Sequence, residues 1–363
     1  MAKIFRDFDW LIFLPIIILA GFSLSLLATP PEGFFNSQLI FFIIGVGLFF
    51  VVSQIDWQIY KSLAIILYFI ALILLIITFF GPQVRGATRW IEIFGVRWQP
   101  SELVKPLIII SLASFFSNRS PKELKNLFLG LLLVLPMGLL TFRQPDLGNT
   151  VIIIGIWLGV VYGAGLPFFY GLAIMLTFIL ILPLGWFFLK NYQKLRLVTF
   201  LNPFFDPAGA GYNSIQSMIA VGSGQLFGRG LGQGSQSHLL FLPEYHTDFI
   251  FASLIEELGF IGGIIVIAAY AVLLYRILQI TRETKDLFAV FLLLGIFSQL
   301  LLHIFVNIGM NLGFLPITGI TLPLLSYGGS SILSTMILLG IVSNISKSRT
   351  MHRAIDILPP ANV

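Results

Sequence analysis

Long apolar segments separated by few charged residues constrain the fold of this chain more than any other feature. Only 10% of its 363 residues are charged, whereas soluble domains average about 25%. A soluble fold of this length would need a polar surface that this composition cannot supply. In a membrane, by contrast, α-helices satisfy their backbone hydrogen bonds internally. The sequence therefore predicts an all-α integral membrane protein.

Roughly 20 apolar residues cross the hydrocarbon core of a membrane as a helix. By this criterion the sequence contains ten candidate membrane spans. They cover residues 10–29, 37–54, 61–80, 102–117, 126–142, 149–164, 167–188, 248–278, 287–306 and 321–346. The first run is longer than the apolar region of a signal peptide and is followed by a poor cleavage site, so we expect it to be retained. We predict one polytopic domain over residues 1–363, with a long outer loop at about 189–247.

The distribution of Lys and Arg predicts that both termini are cytoplasmic. With the N-terminus inside, 12 of the 21 basic residues fall in cytoplasmic segments and 8 in outer segments, as the positive-inside rule favours. Arg85, Arg89 and Arg97 nevertheless crowd one outer loop. This cluster is either topological noise or an anion site, for example for phosphate, which the planar guanidinium binds well.

Features that the sequence lacks exclude several classes of function. The chain has no cysteine, which excludes disulfides and thiolate chemistry, and its four histidines argue against a zinc site built by the protein. No GxxxxGK[ST] phosphate loop is present, so we do not expect ATP-driven transport by this chain alone. We also expect no nucleic-acid partner.

Charged residues in or beside the predicted spans are candidate functional residues, because charge inside a membrane is costly. Glu102 and Lys105 lie three residues apart on one face of the fourth span, where they can pair. The pair is either purely structural or part of a site. Arg143 and Asp146 follow the fifth span, and they form either an interfacial surface pair or part of the same site.

Asp248 is the strongest candidate for a catalytic group. It lies close behind Glu244 and His246, where the long outer loop re-enters the membrane. Such a partly hydrated position at the membrane edge suits a general base, because burial raises the pKa of an Asp carboxyl group above its usual value of about 3.9. The alternative interpretation is that Thr247 or Asp248 merely caps the helix that begins here.

Glu256 and Glu257 lie deeper along the same span, by roughly 12–14 Å at the helical rise. A carboxylate at this depth needs a partner, and Lys105 is the one basic residue that we place inside a span. We interpret the two glutamates as a structural polar cluster. His303 and Asn307 in the ninth span are expected to be interhelical hydrogen bonders rather than ligands.

Short motifs in order along residues 86–331 resemble those of the shape, elongation, division and sporulation (SEDS) family, the RodA/FtsW/SpoVE group. They are Gly86-Ala87-Thr88-Arg89-Trp90, Gln99-Pro100-Ser101-Glu102 with Lys105, residues 144–148, Pro243-Glu244 with residues 246–249, Glu256-Glu257-Leu258-Gly259, residues 319–323 and residues 326–331. Within the family, residues 234–237, 307–310 and 315–319 resemble the RodA branch more than the FtsW branch.

This resemblance implies a peptidoglycan glycosyltransferase that polymerises lipid II, the undecaprenyl-pyrophosphate-linked disaccharide pentapeptide, during cell elongation. The 4-hydroxyl group of one lipid II sugar attacks the anomeric carbon of the growing chain, and undecaprenyl pyrophosphate leaves. The catalytic aspartate of the family corresponds to Asp248. The predicted substrate-binding residues are Trp90, Glu102, Lys105, Arg85, Arg89, Arg97, Arg143, Asp146, Glu244, His246 and Ser326.

The resemblance also implies a class B penicillin-binding protein (a transpeptidase) and the elongation machinery as partners, and an active site on the outer face of the bacterial cytoplasmic membrane. A Mg or Mn ion could help to neutralise the diphosphate, but no residue in the sequence fixes one. The main alternative function is a lipid II flippase, and a third is a scaffold for a partner enzyme. Transporters tend to place their sites near mid-membrane on broken helices, whereas most of these motifs lie toward the outer face.

Overall fold

The computed structural model describes residues 9–29, 33–81, 88–93 and 95–357, and these residues are predominantly helical. In chain order the α-helices are α1 (Trp10–Leu27), α2 (Phe34–Val52), α3 (Trp57–Ile77), α4 (Pro100–Ser117), α5 (Leu124–Arg143), α6 (Leu147–Gly163), α7 (Phe168–Phe188), α8 (Asn191–Leu201), α9 (Tyr212–Ser223), α10 (Ser235–His238), α11 (Ile250–Glu283), α12 (Leu287–Asn311) and α13 (Gly329–Ile357). Short 3-10 turns lie at Thr78–Phe80 and Pro203–Phe205, and β1 (Ile91–Ile93) pairs antiparallel with β2 (Val96–Trp98).

Each predicted span corresponds to one of these helices, which confirms the all-α membrane architecture. Eight of the described helices are long and apolar enough to cross a membrane, and α6 is a shorter apolar helix of 17 residues. The number of ten spans and the cytoplasmic location of both termini stay predictions, because no membrane accompanies the helices.

The start of the tenth predicted span was wrong. Residues 312–328 form a non-helical loop between α12 and α13, which we call the 312–328 loop. Its apolar residues Leu322, Leu324 and Leu325 are at most 1% exposed, so they face protein rather than lipid. The loop turns back on itself because the hydroxyl group of Ser326 accepts the backbone N–H of Leu322 at 2.8 Å. Hydropathy alone does not distinguish such a buried loop from a lipid-facing helix.

Helices α4, α12 and α13 form the centre of the molecule. Helix α4 packs against α3, α12 and α13, while α12 also packs against α6 and α11. Most residues in the apolar windows of these three helices are buried inside the protein, whereas most of those in α1, α2 and α3 are not. The polar side chains on α4, α12 and α13 are therefore mostly surrounded by protein.

Helix α11 is interrupted at Gly259, whose φ of 70° and ψ of −172° are not helical. The interruption frees the carbonyl oxygens of Glu256 and Glu257, which accept the backbone N–H groups of Arg229 and Gly230, each at 2.9 Å. A stretch of the outer loop is thereby joined to the membrane helix by backbone hydrogen bonds.

The carboxylates of Glu256 and Glu257 bind the same stretch, which confirms the predicted structural cluster. Glu256 accepts the backbone N–H groups of Gln236 at 2.8 Å and Ser237 at 3.1 Å. Glu257 accepts the N–H of Gly232 at 2.9 Å. Lys105 takes no part in these bonds, and the partners come instead from a loop that sequence spacing gave no reason to place there.

We predict that Gly259→Ala destabilises the protein strongly. A Cβ atom at this position would collide with the backbone of Gly228 and Leu226, and the positive φ disfavours any side chain. Gly21→Ala is the matched control, because its added Cβ atom would meet no atom within 4 Å. In detergent, we expect the melting temperature to fall for the first variant only. Equal melting temperatures for both variants would contradict this account of the helix interruption.

Candidate active site

Asp248 lies in a tight turn that precedes α11. The turn closes because Glu244 adopts a left-handed conformation, with φ of 56°. Its carbonyl oxygen accepts the backbone N–H groups of Thr247 at 3.1 Å and Phe249 at 3.2 Å. Phe249 is the N-cap residue, and no side chain of the turn caps α11. The interpretation of Thr247 or Asp248 as a helix cap is therefore wrong.

Two asparagines of α12 hold the backbone of Asp248. The side-chain amides of Asn307 and Asn311 both donate to the Asp248 carbonyl oxygen at 3.0 Å. Asn311 also accepts the backbone N–H of Ala252 at 3.0 Å, so it caps α11 from a neighbouring helix. This arrangement confirms Asn307 as an interhelical hydrogen bonder and identifies Asn311 as a second one.

The 312–328 loop forms another side of the same turn. The Ser326 hydroxyl group donates to the carbonyl oxygen of Thr247 at 2.6 Å, and the backbone N–H of Tyr327 donates to that of His246 at 2.9 Å. The His246 ring stacks on Phe34 of α2 with 4.3 Å between ring centroids. Ser326 and His246, both predicted to bind substrate, are thus joined to the turn that carries Asp248.

The carboxylate of Asp248 is left available for chemistry. Among the described residues, none donates a hydrogen bond to its oxygen atoms, and the residue keeps part of its surface accessible. Gly319 of the 312–328 loop lies against it: a Cβ atom there would stand 3.5 Å from Asp248 Oδ2, and its φ is +74°. A glycine at this position lets the loop backbone approach the carboxylate closely.

Burial raises the pKa of Asp248 from 3.8 to about 6, and the negative charge of Glu244 adds to this effect. The positive charges of Arg196 and Arg89 act in the opposite direction, and the more remote Asp146 raises the pKa slightly. A carboxyl group with a pKa near 6 is mostly ionised at neutral pH and is a stronger base than an ordinary aspartate.

Asp146 lies in a separate buried cluster, with only 1% of its surface exposed. Its carboxylate accepts the side-chain amides of Gln99 at 3.0 Å and Asn149 at 2.9 Å, and the backbone N–H of Asn149 at 3.2 Å. Arg143 is exposed and makes none of these bonds. The interfacial Arg143–Asp146 pair is therefore wrong, and Asp146 instead caps α6 and joins it to the residues before α4.

The predicted pair of Glu102 and Lys105 is confirmed. Lys105 Nζ lies 2.7 Å from Glu102 Oε1, and the two residues are 0% and 3% exposed, respectively. Lys105 Nζ also lies 2.8 Å from Nε2 of His303. The other ring nitrogen of His303 lies 3.0 Å from the carbonyl oxygen of Thr321, to which it donates, so Nε2 accepts from Lys105. The chain of bonds therefore runs from α4 to the 312–328 loop.

The remaining predicted site residues lie in or beside the β1–β2 hairpin, apart from Arg143 and Arg85. Arg89 is half-buried, and its Nε atom is buried with no hydrogen-bond partner among the described residues. Trp90 beside it is half-buried, while Arg97 on β2 and Arg143 at the end of α5 are exposed. Arg85 lies outside the described residues.

Arg196 on α8 is a residue near the site that sequence reasoning did not single out. In the sequence it is one of four basic residues scattered through 189–247. Its charge acts on Asp248 because the side chain is held against Ile317 of the 312–328 loop. No local pattern reports such an approach, whereas Asn311 could have been found from its spacing of four residues from Asn307.

The residues present do not build a metal site on their own. Among the described residues, no group of three or more His, Asp or Glu side chains lies close enough together to hold a metal ion. The prediction of a Mg or Mn ion is not tested by this observation, because Mg usually binds through one or two carboxylates together with substrate phosphates.

Comparison with known proteins agrees with the resemblance seen in the sequence. Residues 3–351 match the FtsW/RodA/SpoVE family, described as cell cycle proteins. The peptidoglycan glycosyltransferase MrdB of Escherichia coli K12 is 43% identical over 312 residues, which cover 85% of this chain and 84% of that protein.

Two solved structures share the fold. A chain of a peptidoglycan synthase complex, solved to explain how polymerization and crosslinking are coordinated, matches with a TM-score of 0.81 and 30% identity, over 94% of this chain and 98% of that one. The rod shape determining protein RodA of Thermus thermophilus matches with a TM-score of 0.71 and 27% identity, over 94% and 97% of the two chains.

We predict that Glu102 and Lys105 are energetically coupled, because removing either one leaves the other charged in a buried position. In a double-mutant cycle of Glu102→Gln and Lys105→Met, the double variant should lose less stability than the two single losses added together. The measurement is the melting temperature in detergent, with Glu92→Gln on the exposed hairpin strand as a neutral control. Strictly additive losses would show that the two side chains do not interact.

Proposed function

Since this chain belongs to the FtsW/RodA/SpoVE family and is a peptidoglycan glycosyltransferase, we propose that it polymerises lipid II with Asp248 as the general base. The reaction takes place at the outer face of the bacterial cytoplasmic membrane during cell elongation. The observation that carries this proposal is the Asp248 carboxylate, which is accessible, unbonded among the described residues and raised in pKa to about 6.

In the proposed reaction, Asp248 removes the proton of the 4-hydroxyl group of one lipid II sugar. The oxygen forms a bond to the anomeric carbon of the growing chain, and the bond from that carbon to the diphosphate breaks. Undecaprenyl pyrophosphate leaves with the electron pair of the broken bond, and the proton resides on Asp248 until solvent takes it. The positioning of the two substrates and the stabilisation of the charge on the leaving group supply the remainder of the rate acceleration.

The leaving diphosphate requires positive charge as its bond to carbon breaks. Arg89 supports this role best among the predicted arginines, because its charge acts on Asp248 and its Nε atom has no partner among the described residues. Arg97 and Arg143 are exposed and have free access to a lipid head group. A Mg or Mn ion, where one takes part, would enter with the substrate, whose diphosphate would supply most of its oxygen ligands.

The buried predicted residues have positioning roles in this proposal. Glu102, Lys105 and Asp146 are at most 3% exposed, so they do not meet a large head group directly. Lys105 joins α4 to the 312–328 loop through His303 of α12, and that loop contacts the turn of Asp248. Asp146 joins α6 to the residues before α4. Losing one of them would displace the loop before it removed any contact with substrate.

The partner that we propose is a class B penicillin-binding protein, a transpeptidase that crosslinks the strands made here. Support comes from the solved peptidoglycan synthase complex, whose matching chain takes part in coordinated polymerization and crosslinking. The elongation machinery would then recruit both enzymes together.

A lipid II flippase is the alternative function, and detergent distinguishes the two. Micelles have no opposing leaflets, so a flippase has no measurable product there, whereas a polymerase converts purified lipid II into glycan strands. We expect the purified protein, together with its transpeptidase partner, to form polymer in detergent. A preparation that binds lipid II but forms no polymer with the partner present would refute the proposal.

We predict that Asp248→Asn abolishes most polymerisation without unfolding the protein. Asparagine retains the shape of the side chain but is not basic. The hydrogen bonds that Asn307 and Asn311 donate to the backbone carbonyl oxygen of residue 248 do not involve its side chain, so they are kept. General-base catalysis typically contributes about 10²–10⁴-fold, so the initial rate should fall by that order. Lipid II binding and the melting temperature should remain close to those of the unaltered protein. If the variant polymerises at nearly the full rate, Asp248 is not the base.

We also predict a pH dependence that follows the ionisation of Asp248. The base acts only when deprotonated, so kcat/KM should rise tenfold per pH unit below about 6 and level off above it. Asp248→Asn should lose this acidic limb in whatever residual activity it keeps. A profile that is flat from pH 5 to 7 in the unaltered protein would show that another group is the base.

A further inference from the structure

Helix α8 of the outer loop is docked on the site by two contacts from one of its faces. The hydroxyl group of Tyr192 donates to the carbonyl oxygen of Pro145 at 3.1 Å. Arg196, four residues further and so on the same face, donates from Nη1 to the carbonyl oxygen of Ile317 at 3.3 Å. The guanidinium group of Arg196 also lies over the Tyr192 ring, 5.7 Å from its centroid.

The two anchor points lie next to Asp146 and near the turn of Asp248, respectively. Pro145 immediately precedes Asp146, and Ile317 packs against the small apolar cluster that contains Phe249, the residue after Asp248. Two residues beyond Ile317, Gly319 lies against the Asp248 carboxylate. The contact of Arg196 with Ile317 therefore places a guanidinium group beside the loop segment that lies against the Asp248 carboxylate.

The guanidinium group of Arg196 retains most of its binding capacity. A guanidinium group has five N–H donors, and among the described residues one of them is used, by Ile317. The side chain is exposed, and no described carboxylate lies within ion-pair distance of it. A cation held beside the base without a direct ion pair is free to bind an anionic ligand.

We propose that Arg196 binds the diphosphate of the lipid-linked donor and acts together with Arg89, which approaches Asp248 from a different outer segment. This inference rests on the proposed glycosyltransferase function and deepens it. The ligand class is a polyprenyl diphosphate, whose oxygens match the two parallel donors of a guanidinium group. As the bond from carbon to the diphosphate breaks, Arg196 stabilises the negative charge that gathers on the leaving oxygen.

The test compares variants of Arg196 that separate charge from helix docking. Arg196→Gln removes the charge, Arg196→Lys keeps the charge but loses the paired donors, and Tyr192→Phe removes one docking bond while the charge stays. Lys194→Gln is the matched control, because Lys194 is also a basic residue of α8. Its ammonium group lies over the ring of Trp186 on α7, 5.7 Å from the ring centroid. The measurements are kcat and KM for lipid II polymerisation with the partner present, and the affinity for undecaprenyl pyrophosphate.

We expect Arg196→Gln to lower kcat/KM and the affinity for undecaprenyl pyrophosphate by about 10–100-fold, as the loss of hydrogen bonds to a charged group typically does. Arg196→Lys should recover part of both losses, and Lys194→Gln should change neither. Full activity and affinity in Arg196→Gln would overturn the proposal.

The pH dependence of kcat/KM in the Arg196 variants distinguishes a charge that acts beside Asp248 from a purely structural role of Arg196. The charged groups that act on Asp248 are Glu244, Arg89, Arg196 and Asp146. Removing the positive charge of Arg196 should move the acidic limb of kcat/KM to higher pH, while Arg196→Lys and Tyr192→Phe should leave it in place. If Arg196→Gln lowers activity with an unmoved limb, unchanged affinity for undecaprenyl pyrophosphate and a lower melting temperature, the residue only anchors α8 and the proposal fails. Failure of the general-base assignment is distinguishable, because it appears in Asp248→Asn alone.

Discussion

The geometry of the site depends on hydrogen bonds from helical side chains to the backbone of two non-helical segments. The turn of Asp248 and the 312–328 loop expose carbonyl groups that no helix pairs, and in a membrane protein such groups must find partners within the protein. His303 and Asn307 of α12 supply bonds to Thr321 and Ile320 at 3.0 Å and 2.7 Å. Without these polar side chains, buried carbonyl groups of this irregular backbone would be left unpaired, which is costly.

The same bonds divide the polar residues into those that hold the site and those that react. Asn307 and Asn311 bind the carbonyl oxygen of Asp248 and leave its carboxylate free. The carboxylate of Glu102, in contrast, is paired with Lys105 through Oε1 and cannot serve as a base without breaking a buried pair. The three carboxylates therefore have different surroundings, since that of Asp146 likewise accepts hydrogen bonds from amide donors.

Sequence reasoning located the helices and singled out Asp248, but it missed the contacts that arise between distant segments. Each segment that hydropathy selected corresponds to a helix, because lipid imposes a length and an apolar composition on each helix separately. Hydropathy misplaced the start of α13, since the apolar run at 321–328 is buried by protein instead of lipid. Asp248 was recognisable from its position at a membrane edge. Arg196 was not, because its approach depends on how a loop of nearly 60 residues, 189–247, folds back on the site.

Helix α11 connects these observations, because it begins directly after Asp248 and binds the outer loop two turns later. Asn311 caps its first turn from α12 at 3.0 Å, while Glu256 fixes the stretch around Ser237 with bonds of 3.0–3.1 Å to its oxygen Oε2. The same loop also carries Arg196 on α8, which donates to the carbonyl oxygen of Ile317 in the 312–328 loop. Asp248 and the loop that carries Arg196 are therefore both attached to α11. An enzyme that joins two lipid-linked substrates needs such a support, because each head group enters from a mobile bilayer and only the protein can fix the distance between base and leaving group.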